Sequence, residues 1–303
     1  MSGGFVRPTL VCMNESSPVI DGRAKPAQQM SRLAAKVMMG ATLLAGTAGL
    51  LAHGAVPLAA DAHRQADALG QSGAANVWSH LPLLAAAVFG SAACARRRHL
   101  GALMGAWALF FSLVAMAAVA GASYHAQPDD RRFMFVHALI GSASCVLSLI
   151  FVAERLGPMA ARTAPLAIAA LAGPAAWTLG AGVDDLRWML ALQCLPVVLM
   201  PLVVWGLPSR GLAGRQWLVA LGLYALAECA GVADAAIWHA TAGWFGGMAL
   251  SHVMLGACIG WLAHAAARST QPADQPVAEA IAPLSVSASA ECSSRSTSAT
   301  TAG

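Results

Sequence analysis

From Val37 onward the chain alternates long apolar runs with short polar clusters. Eight runs of about 20 residues stand at 37–60, 77–95, 100–122, 133–153, 164–183, 188–206, 217–238 and 244–266. At 1.5 Å per residue, about 20 helical residues cross a hydrocarbon core of about 30 Å. The pattern predicts an all-α fold, a polytopic transmembrane helix bundle. Residues 1–36 are polar and carry Pro8, Pro18 and Pro26, and residues 267–303 are rich in Ser, Ala, Thr and Pro. Neither flank has enough apolar surface to offset chain entropy, so both are expected to be disordered. Residues 61–76 are expected to form an outer loop. The run at 37–60 ends in Ala59-Ala60, as a cleaved leader would, but its apolar stretch and basic lead-in are both too long for one, and it is expected to be an uncleaved anchor.

Composition supports the membrane assignment. Hydrophobic residues make up 58% of the 303 and Asp, Glu, Lys and Arg only 11%, against roughly 45–50% and 25% in a soluble domain. The net charge of +4 comes with no basic stripe carrying interleaved aromatics, which excludes a nucleic-acid partner. The charge is topological instead. With both termini cytoplasmic, inner segments hold 14 of the Lys and Arg residues, and outer loops hold the remaining four, Arg64, Arg131, Arg132 and Arg187. The bias predicts a multi-pass protein of the inner (plasma) membrane. Trp78, Trp188, Trp217, Trp238 and Trp244 lie near span ends, where indoles sit at headgroup level. Two glycine pairs, Gly101 with Gly105 and Gly256 with Gly260, have the four-residue spacing that lets helices approach closely. Cys94, Cys145, Cys194, Cys229 and Cys258 fall inside apolar runs without any CxxC pair and read as small apolar side chains. No Walker loop, dinucleotide fingerprint or Gly-x-Ser-x-Gly elbow occurs, so phosphoryl transfer and α/β-hydrolase chemistry drop out.

The orientation sorts the histidines by depth. His53, His63, His80, His125, His137, His239 and His252 fall toward the outer face, as do Asp129, Asp130, Asp184, Asp185 and Asp234. Ionisable groups at membrane depth are costly and line cavities or pair with one another. His252 lies about 12 Å into its helix, too deep for bulk water to serve it, and a neighbouring helix carrying His125 would satisfy it directly or through a metal. Asp234 is close enough to the outer end of its span to reach water, whereas Glu228 is deeper and must face a partner.

The motifs Asn76-Val77-Trp78-Ser79-His80-Leu81-Pro82, Tyr124-His125-Ala126-Gln127-Pro128-Asp129, Glu154-Arg155, Asp185-Leu186-Arg187 with Gln193, Tyr224-Ala225-Leu226-Ala227 with Asp234, and Ser251-His252 stand in the order and spacing of one family. Over about residues 60–266 the chain resembles the bacterial alkaline ceramidase-like (alkaline phytoceramidase) family of seven-helix membrane hydrolases. The resemblance implies a seven-helix core at 77–266 with the helix at 37–60 added in front. It also implies a zinc ion held among the helices by three histidines. In such enzymes the ion, assisted by a Ser and an Asp, activates water to cleave the amide of a membrane lipid of ceramide type.

Carried over by position, His125 matches the first zinc histidine and His252 the first histidine of the pair on the last helix. The other three site positions depart: Gly121 stands where the family has Ser, Val136 where it has Asp, and Gly256 where it has the second histidine of the pair. His80 stands where the family has Asn and is a candidate third ligand. His137, His239 and Asp234 are further candidate replacements, and Asp234 and Tyr124 are candidate substrate contacts. Ser123 and His137 lie about 200° and 100° around their helices from the positions they would replace. Three readings stay open: a zinc-dependent amide hydrolase with a rebuilt site, a catalytically silent lipid-binding or scaffold protein on the same fold, and a transporter or a histidine-ligated haem module. Under the silent reading, the combined substitutions Gly121→Ser, Val136→Asp and Gly256→His are expected to recover metal binding.

Overall fold

The computed structural model describes residues 73–181, 185–207 and 211–269, with scattered positions between 34 and 54. The described residues are helical, with no strand among them, as the apolar runs predict. Positions described between Ala34 and Ala52 have helical backbone. The rest of the expected first span, the leader, most of the outer loop and the tail beyond Ser269 lie outside the described residues.

The helices are α1 Gly73–Trp78, α2 His80–Arg96, α3 Ala102–Ala126, α4 Asp130–Leu156, α5 Thr163–Ala181, α6 Arg187–Gly206, α7 Gly214–Val232, α8 Asp234–Ala240 and α9 Gly247–Arg268. Among the described residues, five helical stretches are long and apolar enough to cross a membrane: Ala74–Arg96, which joins α1 and α2, then α3, α4, α5 and α9. Several such helices make this a multi-pass membrane protein. Two expected spans are less simple than their hydropathy suggests. The run at 217–238 is not one straight helix, because α7 and α8 meet at Ala233 with a bend of 73° and qualify as a span only together. α6 contains Pro196 and Pro201, and its apolar stretch Arg187–Pro201 is short of a full crossing.

Chain breaks follow from backbone chemistry. Gly157 after α4 and Gly101 before α3 have φ of 129° and 136°, a region that side-chain-bearing residues avoid. Asp129 starts α4 by accepting the Arg132 backbone N–H. Within α5, Pro174 has no N–H for the Ala170 carbonyl. That freed oxygen accepts instead from Ser142 Oγ of α4 at 2.7 Å, and the same Oγ accepts from the Gly173 N–H at 3.2 Å. In a bilayer, a freed backbone group needs a substitute of this kind.

α3 lies at the middle of the packing, against α2 on one side and α4 on the other, while α9 joins α2 to α7. The core away from the histidines is aromatic: Trp107 stacks on Trp217 with centroids 5.8 Å apart, and Phe151 meets Trp217 edge-on. Trp217 is therefore no interfacial anchor. It is fully buried, and its Nε1–H donates to Glu154 Oε2 at 3.1 Å. Trp78 and Trp244, in contrast, are well exposed. The two glycine pairs also differ. A side chain at Gly256 would strike the backbone of Pro82 and Leu83, whereas Gly105 faces open space and Gly101 is a helix cap.

Candidate metal centre

Three helices bring three imidazoles together. His80 opens α2, His125 lies in the last turn of α3, and His252 stands in the second turn of α9. One ring nitrogen from each lies within 4.8 Å of the others. The ring centroids are 3.9 Å apart for His80 and His252, 5.2 Å for His125 and His252, and 5.4 Å for His80 and His125. His80 and His252 are buried and His125 is half-buried.

The rings of His80 and His252 are both oriented from the Asn76 carbonyl, the first directly and the second through Ser79. Ser79, at the junction of α1 and α2, donates its Oγ–H to the Asn76 carbonyl at 2.7 Å. With its proton so used, Ser79 Oγ accepts from the Nδ1–H of His252 at 2.9 Å. His80 Nδ1–H donates to the same Asn76 oxygen at 2.8 Å. Both rings are thereby held in the tautomer whose Nε2 carries the free lone pair, the arrangement by which a hydrogen bond on one nitrogen orients the other toward a metal.

The two glycines that stand where the family resemblance leads one to expect a side chain have specific neighbours. A Cβ on Gly121 would collide with His80 Nε2, and a Cβ on Gly256 would stand 2.9 Å from Leu83 N and 3.1 Å from Pro82 C. The absent side chain at 121 makes room for the imidazole at 80. Its absence at 256 lets the first turn of α2, which carries that imidazole, lie against α9. Both departures read in the sequence as losses therefore accommodate His80.

The remaining candidates are engaged elsewhere. His137 Nδ1 accepts from Gln193 Nε2 at 2.9 Å, and its ring packs on Phe133 with centroids 4.2 Å apart, which ties α4 to α6. His239 is exposed on α8 and is not in the cluster. Asp234 is not one of the clustered ligands either. Its Oδ1 accepts the Met248 backbone N–H at 2.7 Å, so it caps the start of α9 from across the loop, and its charge is within electrostatic reach of His125. Tyr124 packs edge-on to His125, and Val136 packs against the hydrophobic core. Glu228 is not enclosed as its depth in the sequence suggests. It is exposed on α7 and accepts a hydrogen bond from Tyr224, one turn earlier.

Ser79 is the residue of the candidate site that sequence reasoning did not single out. Its part depends on the junction between α1 and α2 and on a partner 173 positions away, and in the sequence it stands only as one member of the motif around His80. Three neutral nitrogen donors with no carboxylate fit a borderline divalent ion and leave one coordination position open. Comparison with family models, curated proteins and solved structures finds no match.

Proposed function

We propose that this protein is a zinc-dependent membrane hydrolase of amide-linked lipids of ceramide type, with a metal site rebuilt around His80, His125 and His252. The observation that carries the reading is the convergence of three imidazoles from three helices, two of them held through Ser79 and Asn76 in the tautomer whose Nε2 keeps a free lone pair. A divalent ion held there supplies a Lewis acid and lowers the pKa of a coordinated water toward about 7. His80, His125 and His252 are its ligands, and Ser79 and the Asn76 carbonyl hold two of them. Asp234 adds a negative charge beside His125, and Tyr124 lies on the edge of the same ring. The charge asymmetry of the loops supports cytoplasmic termini and a site toward the outer face of the plasma membrane.

The test is metal content of the detergent-purified protein by mass spectrometry, together with fatty-acid release from a ceramide-type lipid. Near-stoichiometric zinc, lost in His80→Ala, His125→Ala and His252→Ala along with the activity, is the expected result. Persistence of activity in the three variants would overturn it. The alternative is a catalytically silent lipid-binding or scaffold protein, favoured by Gly121 and Val136, which carry neither the hydroxyl nor the carboxylate that the family resemblance implies. Zinc bound without fatty-acid release from any amide lipid would select it.

A further inference from the structure

On the side of α3 turned away from the imidazoles, a groove of about 520 Å³ lies between α2, α3 and α4. Ala115 and Ala120 form its floor. Leu84, Met116, Val119 and Phe135 form its walls, the last three about half exposed. From Ala115 to Ser123 it follows α3 for eight residues, about 12 Å at 1.5 Å per residue. It lies within helices that cross the membrane, so alkyl chains are the medium against which it opens.

Only the end near the imidazoles is polar. There Ser123 and Arg132 close the groove. Arg132 is already held in place: Nη1 donates to the Gln127 carbonyl at 2.7 Å and to Asp129 Oδ2 at 2.8 Å, and Nη2 donates to Gln127 Oε1 at 2.8 Å. A guanidinium fixed in advance loses little freedom when a ligand arrives. The charges at this end are balanced, with Asp129 and Asp130 beside Arg131 and Arg132. An anionic headgroup drawn to Arg132 meets Asp129 as well, whereas a headgroup carrying both signs is complementary to the pair.

We propose that the groove seats one alkyl chain of a zwitterionic membrane lipid, with the headgroup against the Asp129–Arg132 pair. The site is separate from the metal centre, and its occupancy does not depend on hydrolysis.

The experiment uses the full chain in nanodiscs of equal parts phosphatidylethanolamine and phosphatidylglycerol, followed by native mass spectrometry. One retained phosphatidylethanolamine, favoured several-fold over phosphatidylglycerol, is expected. Ala115→Trp fills the floor and is expected to lower retention at least fivefold. Arg132→Gln is expected to abolish the preference between headgroups. Equal or greater retention of phosphatidylglycerol by the unaltered protein, or unchanged retention in Ala115→Trp, overturns the proposal. A diazirine-labelled phosphatidylethanolamine tests the unaltered protein without reliance on a variant's folding. Labelling concentrated on 115–135 supports the site, and equal labelling of the exposed face of α5 at Ile168, Leu171 and Leu179 overturns it.

Discussion

The Nε2 atom of His80 occupies the space that a side chain on Gly121 would take. The imidazole and the glycine therefore form a complementary pair across α2 and α3. Gly121→Ser is expected to displace His80 and to lower bound zinc by at least tenfold, measured by competition with a chromophoric chelator. The combined Gly121→Ser, Val136→Asp, Gly256→His variant is expected to lose metal rather than recover it, since a side chain at 256 also meets the backbone of α2. Recovery of metal in that variant would show that His80 is not a ligand.

In the proposed metal site, Ser79 would act through His252, whose ring it holds. Removing its hydroxyl in Ser79→Ala leaves the His252 Nδ1–H without its acceptor, and loss of an outer-shell partner costs about 10–100-fold in metal affinity. Ser79→Thr keeps the hydroxyl and should restore most of it. Because a packing defect alone would also lower the melting temperature, the affinity is to be read beside thermal unfolding in detergent. An Ala variant with unchanged affinity would assign Ser79 to packing.

A cation held by three neutral imidazoles would compete with protons, because each ligand must shed its proton before it coordinates. Apparent zinc affinity is thus expected to be independent of pH through the neutral range and to fall on acidification, by more than one decade per pH unit once the ligands titrate together. Zinc that stays bound down to about pH 3 would argue against imidazole ligation.

Ser142 substitutes for the N–H that Pro174 lacks. Ser142→Ala leaves the Ala170 carbonyl unsatisfied, at a cost of about 1–3 kcal/mol. Pro174→Ala in the same chain gives that carbonyl an N–H again. A double-mutant cycle read by thermal unfolding is therefore expected to be non-additive, with Ser142→Ala milder in the Pro174→Ala background. Strict additivity would mean that the hydroxyl and the proline are unrelated.

Glu154 is only 2% exposed, and it accepts from the Trp217 indole and from the Leu212 backbone N–H at 3.2 Å. Its neighbour Arg155, equally enclosed, donates to the Leu207 carbonyl at 2.6 Å, so the pair holds both ends of the α6–α7 connection. Glu154→Ala strips two buried donors, the Trp217 indole and the Leu212 N–H, of their acceptor. Each buried donor left unsatisfied costs about 1–3 kcal/mol. Thermal unfolding in detergent is expected to show a loss of that order, and a loss below 1 kcal/mol would remove the network from the list of fold determinants.

The helical frame was legible because hydropathy is a local property: each run from 77 onward falls on helix. The bend at Ala233 was not, since Val232-Ala233-Asp234 contains neither Pro nor Gly and the break is tied to a cap on α9 formed by Asp234. Trp217 was read as interfacial from its place near a span end, but its acceptor is on α4, 63 positions earlier. At the metal centre, His125 and His252 could be read from depth and motif order. His80 was visible only as a departure, because the space that accommodates it depends on glycines in two other helices. On the resemblance alone those glycines count as losses, while in the structure they leave the space that His80 and the first turn of α2 occupy.

Asp234 reaches over the turn at 241–246 to cap the start of α9. The joint between α8 and α9 is thus closed by a hydrogen bond between the two arms, in addition to the connection that runs from one to the other. That connection is itself tied, since Thr241 Oγ1 donates to the Phe245 carbonyl at 2.7 Å. Turn and cap together form a clasp that fixes where α9 begins, and with it the depth at which His252 is held.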